Sequence, residues 1–456
     1  MKTLFSLLLV FALIATSLAG SADDWKSRTI YQILTDRFAR TNGDRTPCKD
    51  LRSFCGGTWQ GIVNNLDYIK GMGFDAIWIS PVVANFPGGY HGYWAKNLYE
   101  ISPEFGGADG LRKLIQACHQ KGIWVMIDVV VNHMGAIKDY NFGSLYPFNK
   151  AEHYHQDVPC DFDVKNQKKM DQCWLYSLPD LDQDHQYVRK TLLSWISDLV
   201  KAYKIDGIRI DTVPYVKKQF WSEFTQAAGV YTIGEVFSFD FPYTSAYQGP
   251  LSSVLNYPLY IHLRNVFQQY QPMDQFESYF QAAKSFPDQH ALGNFVNSHD
   301  VERFLAMHGD HIAFKSAIAF TFTTMGIPIL YYGDEQAFGG LSDPGNREPL
   351  WTNMNAHSPI YDFVATINRF RKQVNLHALD QVQRYADNNF YAFTRGNYFF
   401  AFTNSQDYQK RTITYHPFKD GTRLCNLFYS SDCITVQGGR FDVHLVKGEV
   451  KILLPQ

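Results

Sequence analysis

One rhythm constrains this chain more than any other feature. Eight short apolar runs recur, over 30–34, 74–79, 123–131, 207–210, 231–236, 253–255, 294–297 and 328–332. Several of the intervening segments space apolar residues by three and four, as in Ile62, Leu66 and Ile69, in Leu111, Leu114 and Ile115, and in Leu192, Leu193, Ile196 and Leu199. Where the runs are continuous rather than alternating, as over 123–131, the strand is buried on both faces. Strands interleaved with helices predict a parallel sheet, and eight such units predict a closed (β/α)8 barrel.

Two stretches depart from the rhythm. Residues 133–181 are polar and aromatic, rich in Asp, Tyr, Asn and Lys. They read as a small subdomain inserted after the third strand, between a first barrel part over 23–132 and a second over 182–376. From 377 to 456 short aromatic or β-branched segments alternate with Asn, Asp and Gly, which predicts a C-terminal antiparallel β domain. Lys2, an apolar run over 4–15 and small residues at Ser17, Ala19 and Ala22 mark residues 1–22 as a secretory signal peptide. That run is too short for a membrane span, which needs about 20 residues. The reading is a secreted chain, extracellular or delivered to a digestive vacuole, with no membrane attachment after cleavage.

Secretion makes disulfides plausible. Sequence does not fix connectivity, but spacing groups six of the seven cysteines as Cys48–Cys55, Cys160–Cys173 and Cys425–Cys433. Cys118 shares a helical face with Leu111, Leu114 and Ile115 and reads as a buried, inert thiol. Lys plus Arg (42) nearly balances Asp plus Glu (44), so no basic excess drives nucleic-acid binding. The 45% hydrophobic content excludes a mostly disordered chain. Aromatic residues make up 16%, which suits either a large aromatic core or sugar stacking.

Active-site residues of a barrel sit at the C-terminal ends of its strands. Here the third strand ends in Asp128 and then Asn132-His133, the fourth in Arg209-Ile210-Asp211, the fifth in Gly234-Glu235, and the seventh in Ser298-His299-Asp300. Closing the barrel brings Asp211, Glu235 and Asp300 to one mouth. Clustered like charges shift one another's pKa and are costly, so function is the main reason to keep them together. Paired carboxyl groups, one protonated and one ionised, are the machinery of glycoside hydrolysis. A metal-dependent hydrolase is the rival, but no His-Glu-x-x-His pattern supports it.

With these motifs in order along the chain, it resembles an α-amylase of the glycoside hydrolase clan with a (β/α)8 barrel, most closely the fungal-type secreted enzymes. The matching segments are Asp128-Val129-Val130-Val131-Asn132-His133, Gly207-Ile208-Arg209-Ile210-Asp211, Gly234-Glu235-Val236 and Asn297-Ser298-His299-Asp300. Tyr90-His91-Gly92-Tyr93-Trp94, Ser177-Leu178-Pro179-Asp180-Leu181-Asp182 and Asp343-Pro344-Gly345-Asn346-Arg347-Glu348 match as well. The resemblance implies endo-hydrolysis of α-1,4-glucosidic bonds in starch, glycogen or malto-oligosaccharides by a retaining double displacement. It implies Asp211 as nucleophile, Glu235 as general acid and then base, and Asp300 as transition-state stabiliser. Arg209 would keep Asp211 ionised. His133 and His299 would bind hydroxyls of the sugar being cleaved, with Tyr93 stacked on it and His91 and Trp94 lining the cleft. Asp343 and Arg347 would bind the glucan on the non-reducing side. A structural calcium would be held by Asn132, Asp171, Asp180 and the carbonyl of Tyr215, oxygen donors suited to a hard cation.

The chain departs from the family pattern in places. Asp171 stands where Glu is usual. Thr212-Val213-Pro214-Tyr215 replaces a Thr/Ala-x-Lys-His segment whose Lys and His contact glucose on the reducing side, so product length and transglycosylation are open. Ser298 stands where chloride-dependent enzymes have Asn, so no chloride activation is expected. Ser245 and Phe286 lie near the positions of a further disulfide of fungal relatives. A monomer is expected, with no N-glycan and no appended starch-binding module. The alternatives are an exo-acting α-glucosidase or transglycosylase of the same clan, and a catalytically dead relative. The Leu178-Pro179-Asp180-Leu181-Asp182 segment speaks against the first, and the three retained carboxylates against the second.

Overall fold

The computed structural model of the protein describes residues 20–161 and 166–456. The leader expected over 1–22 therefore lies, up to residue 19, outside the described residues. Eight parallel strands form one sheet: β1 (Ile30–Ile33), β2 (Ala76–Ile79), β3 (Trp124–Val129), β4 (Gly207–Ile210), β5 (Tyr231–Gly234), β6 (Ser253–Val254), β7 (Gly293–Asn294) and β8 (Ile327–Tyr331). Their order is β6-β5-β4-β3-β2-β1-β8-β7. A parallel bridge between Leu255 and Gly293 joins the two ends, which makes the sheet a barrel.

Both strand faces are apolar because both are covered. Ile30, Ala76, Trp78, Met126, Tyr231, Ile233, Ile327 and Ile329 cluster on one face and fill the barrel. Ile33, Ile77, Ile79, Val125, Ile127, Ile208 and Ile210 join the main core with the surrounding helices. Those helices include α1 (Gly107–Gln120), α2 (Gln186–Tyr203), α3 (Lys218–Ala228), α4 (His311–Thr323) and α5 (Pro359–Gln373). α1 buries Leu111, Leu114, Ile115 and Cys118, one face at helical spacing. Each buried leucine or isoleucine of that kind contributes about 1.5–3 kcal/mol. Trp25 is fully buried among the barrel-filling side chains and donates to the carbonyl of Asp206 (3.1 Å). A Cβ at Gly207 would lie 2.6 Å from the Trp25 ring, so β4 has to begin with glycine.

Several elements are shorter than the sequence predicts, and in two of them a side chain shows why. The helix expected through Ile62, Leu66 and Ile69 is two pieces, Trp59–Asn64 and Leu66–Gly71. Asn65 leaves the helical region between them (φ −121°, ψ 20°), and its side-chain amide donates to the Gly61 carbonyl (2.8 Å). β7 stops at Asn294, three residues early, and the side chain of Asn297 then accepts from Phe304 N–H and donates to Asp334.

The C-terminal strands are β9 (Gln381–Asp387), β10 (Phe390–Arg395), β11 (Tyr398–Thr403), β12 (Gln409–Ile413), β13 (Arg423–Asn426), β14 (Cys433–Thr435), β15 (Phe441–Leu445) and β16 (Val450–Pro455). Six form an antiparallel sheet in the order β9-β10-β11-β16-β13-β14, and β12 pairs with β15. Strand periodicity of two sorts their side chains. Tyr391, Phe393, Phe400, Phe402 and Ile452 merge with the barrel's core, whereas Phe390, Ala392, Phe399 and Leu453 build a second core with Ile413 and Val443. α4 lies between barrel and sheet, with Phe320 5.1 Å from Phe402 and 4.1 Å from Phe276. Burial on every side explains why this helix is apolar all round. Among the described residues no helix is long and apolar enough to cross a membrane. The three expected disulfides are formed, and Cys118 is buried and unpaired.

Candidate active site

Seven strand ends supply the residues at the barrel mouth: Gln32 from β1, Trp78 from β2, Asp128 from β3, Arg209 and Asp211 from β4, Glu235 after β5, Tyr257 after β6, and His299 and Asp300 after β7. Arg209, fully buried, is the hub. Its Nη1 donates to both oxygens of Asp128 (2.9 and 3.0 Å) and to Asp211 Oδ1 (2.8 Å). Its Nη2 lies 3.1 Å from Glu235 Oε2 and 4.0 Å from Asp300 Oδ2. One guanidinium thus faces four carboxyl groups. Four ionised carboxylates around one cation in a buried site would be costly, and the titration of these groups shows how the cost is reduced.

Burial raises Glu235 most, to about 8, with the negative fields of Asp211 and Asp300 adding to it and Arg209 opposing. Burial also raises Asp211, to about 6, against the opposing pull of Arg209. Arg209 therefore restrains the rise without reversing it, and Asp211 is ionised at neutral pH. For Asp300 burial is outweighed by His299, Arg209 and Arg347, and its pKa falls. It is also the most open of the three, with its side chain 29% exposed against 11% for Asp211 and 9% for Glu235. One protonated and one ionised carboxyl at the same pH is the condition for acid and nucleophile to work together.

Backbone strain helps to seat Glu235. Thr212 adopts φ 48°, a left-handed conformation that β-branched residues rarely take, and its N–H donates to Glu235 Oε2 (3.0 Å). Tyr257, buried, donates to Glu235 Oε1 (3.3 Å). Asp128 has the same function toward Arg209, and is itself held by Trp78 Nε1 (3.1 Å) and the Tyr93 hydroxyl (2.8 Å).

The predicted sugar-binding residues surround this group. The Tyr93 and His299 rings are stacked, 2° from parallel with centroids 5.3 Å apart. With Gln32 Nε2 donating to His299 Nδ1 (2.8 Å), the ring proton sits on Nε2, 2.6 Å from Tyr93 Oη and 3.2 Å from Asp300. Burial lowers His299 to about 3 and His133 to about 4, so both rings are neutral. His133 turns Nδ1 to the carbonyl of Met134 and leaves Nε2 3.9 Å from Asp211. His91 accepts from Tyr93 N–H (3.0 Å) and meets the half-exposed Trp94 edge-on. Arg347 spans Asp300 (3.7 Å) and Asp343 (3.1 Å).

The residues predicted to hold calcium lie apart from this centre. One terminal atom of the Asn132 amide is 3.0 Å from the Tyr215 carbonyl and 2.9 Å from Asp180 Oδ1. As nitrogen it donates to both; as oxygen it faces two other oxygens, the donor type a hard cation takes, while Asp180 Oδ2 lies 2.6 Å from His155 Nδ1. Asp171 instead accepts from Gln167, which also donates to the Pro214 carbonyl, next to Tyr215. Among the described residues no group of three or more His, Cys, Asp or Glu side chains is placed to hold a metal.

Comparison with known proteins follows the same lines. Residues 32–388 match the model of the alpha-amylase catalytic domain. The chain belongs to the alpha-amylase family. It is 38% identical over 461 residues to an alpha-amylase of Saccharomycopsis fibuligera, covering 95% of this chain and 92% of that one. It is 42% identical over 370 residues to alpha-amylase 1 of Lipomyces kononenkoae, covering 77% of this chain but 59% of that one. Among solved structures it resembles an alpha-amylase from Malbranchea cinnamomea (TM-score 0.91, 36% identity, 96% and 98% of the two chains).

The family's motifs do not point to several residues that the structure brings in. Gln32, Trp78 and Tyr257 read in sequence as strand or core, and only barrel closure turns them toward the carboxylates. Phe237 and Phe239 stand half-exposed just after Glu235, with Phe237 packed 4.5 Å from Tyr257. Two aromatics at alternate positions outside a strand were a readable signal. At the position of the missing disulfide, Phe286 packs on Phe241 (6.3 Å).

Proposed function

We propose that this chain is an endo-acting α-amylase that hydrolyses α-1,4-glucosidic bonds of starch and glycogen with retention of configuration. The observation that carries the proposal is the shared contact of Asp211 and Glu235 with Arg209, together with their opposite protonation at neutral pH. Protonated Glu235 gives its proton to the glycosidic oxygen as the bond to the anomeric carbon breaks. Ionised Asp211 attacks that carbon, forming a glycosyl ester. Glu235, now ionised, takes a proton from water, which attacks the anomeric carbon, cleaves the ester and frees the sugar. Asp300, ionised and open to the cleft, binds hydroxyls of the same glucose and opposes the positive charge that develops on its ring. Tyr93, its ring stacked with those of His91 and His299, would bound the site of that glucose, and neutral His133 and His299 would offer hydrogen bonds with no charge to neutralise Asp211.

Calcium would be held by the oxygens of Asn132, Asp180 and Tyr215 and by Asp171, whose carboxylate here accepts from Gln167. It would supply structural cross-linking between the end of β3, the insert and the segment after β4, and it takes no part in bond cleavage. Three disulfides suit an extracellular enzyme.

Chromatography of the first products from soluble starch tests the reading. A spread of oligosaccharides from the earliest time point is expected. Glucose or maltose alone from the start would make the enzyme exo-acting.

A further inference from the structure

Three tyrosines from three separate segments gather on the outer side of the barrel. Tyr99 lies on the strand Ala95–Ile101, Tyr146 in the insert, and Tyr187 in the first turn of α2. They are 49%, 54% and 46% exposed. The Tyr99 and Tyr146 rings stand 5.9 Å apart, tilted by 67°. Tyr187 is stacked on His153 at 4.9 Å and stands edge-on to Phe148 at 6.2 Å, two residues along the chain from Tyr146. The platform is fixed from behind. Leu98 N–H donates to Tyr146 O (3.0 Å), Tyr146 N–H to Lys96 O (2.9 Å), and Trp195 Nε1 to Leu98 O (2.8 Å).

We propose that Tyr99, Tyr146 and Tyr187 form a second, non-catalytic binding site for α-1,4-glucan chains. The inference rests on the α-amylase reading, because that reading makes the substrate a polymer long enough to engage two places at once. Rings preordered at an angle match the curvature of an α-glucan, whose C–H faces stack on aromatics while hydroxyls reach the phenol oxygens. The strand that carries Tyr99 holds one exposed cation and one exposed anion, Lys96 and Glu100, and so offers no charge excess to draw an anionic ligand such as a phospholipid surface or a nucleic acid. Its position adds to the case. Trp94, at the cleft, directly precedes the strand that carries Tyr99, and five residues of strand span about 17 Å. A glucan held at the tyrosines is therefore kept beside the cleft, which raises its effective concentration there.

The test is Tyr99→Ala/Tyr146→Ala in the full-length enzyme, compared with wild type for retardation in a gel containing soluble starch, adsorption to starch granules, and kcat/KM on a chromogenic maltotrioside. The expected result is at least a 5-fold weaker retardation and adsorption, with the maltotrioside kcat/KM within 2-fold of wild type. Unchanged retardation and adsorption would overturn the proposal. Wild type inactive on every α-glucan would instead overturn the α-amylase reading. If the double variant does not fold, Tyr187→Ala and Tyr146→Ser singly are read the same way, each expected to weaken retardation at least 2-fold.

Discussion

Replacing Glu235 by Gln should inactivate the enzyme and stabilise it, and the stabilisation should depend on pH. The Glu235 carboxyl moves from 4.5 to about 8 on folding. Its folded pKa is raised, so its contribution to stability is fully present below about 4.5 and is lost as pH rises toward 8. At pH 7 the loss covers 2.5 pH units, or about 3 kcal/mol at 1.36 kcal/mol per unit. At pH 5 it is below about 1 kcal/mol. Glutamine reproduces the protonated acid: its oxygen can still accept from Thr212 N–H, and it never ionises. Glu235→Gln should therefore unfold about 3 °C higher than wild type at pH 7, taking an unfolding entropy of about 0.9 kcal/mol/K for a chain of this size. The gain should shrink to about 1 °C at pH 5. Thermal unfolding of both proteins at pH 5, 6, 7 and 8, in the same calcium buffer, measures this. A difference that is flat with pH, or a destabilised variant at pH 7, would refute the raised acid. Turnover should fall by at least about 100-fold, the low end for loss of a general acid.

Activity against pH should follow the same groups: kcat/KM should rise through about 6 as Asp211 ionises and fall through about 8 as Glu235 loses its proton. The proposed calcium site predicts that a chelator lowers the unfolding temperature, with a loss of about 2.7 kcal/mol of stability for an ion supplied at 100 times its Kd, and that Asp180→Ala abolishes the chelator effect. Gly207→Ala should cost about 1–3 kcal/mol, because its Cβ would lie 2.6 Å from the Trp25 ring; denaturant unfolding checks this, and an unchanged midpoint would contradict the packing described at the base of β4.

Most of the barrel was legible because a two-sided strand leaves an unambiguous trace: Val125, Met126 and Ile127 are consecutive and all buried, on opposite faces. The meeting of Asp211, Glu235 and Asp300 at one mouth was legible because strand order and barrel closure together fix where strand ends meet. What stayed hidden depends on side-chain reach. Asn65 breaks a helix by bonding backward, and nothing in the pattern of Ile62, Leu66 and Ile69 requires it. Asn297 trades strand bonds for side-chain bonds and shortens β7. The balance at Asp211 needed the structure too: sequence shows a neighbouring cation, but only burial reveals that desolvation outweighs it. Tyr257 and Trp78 look like ordinary core aromatics until the barrel aims their polar atoms at Glu235 and Asp128.

The central claim is that Asp211 attacks the sugar while Glu235 supplies the proton. The most direct measurement is mass spectrometry of the enzyme after incubation with a 5-fluoro-α-glucosyl fluoride, which forms a slowly hydrolysed glycosyl ester. The account predicts one added glycosyl group, located by peptide mapping on Asp211. Label on Asp300 or Asp128, or no label with products of inverted configuration, would contradict it.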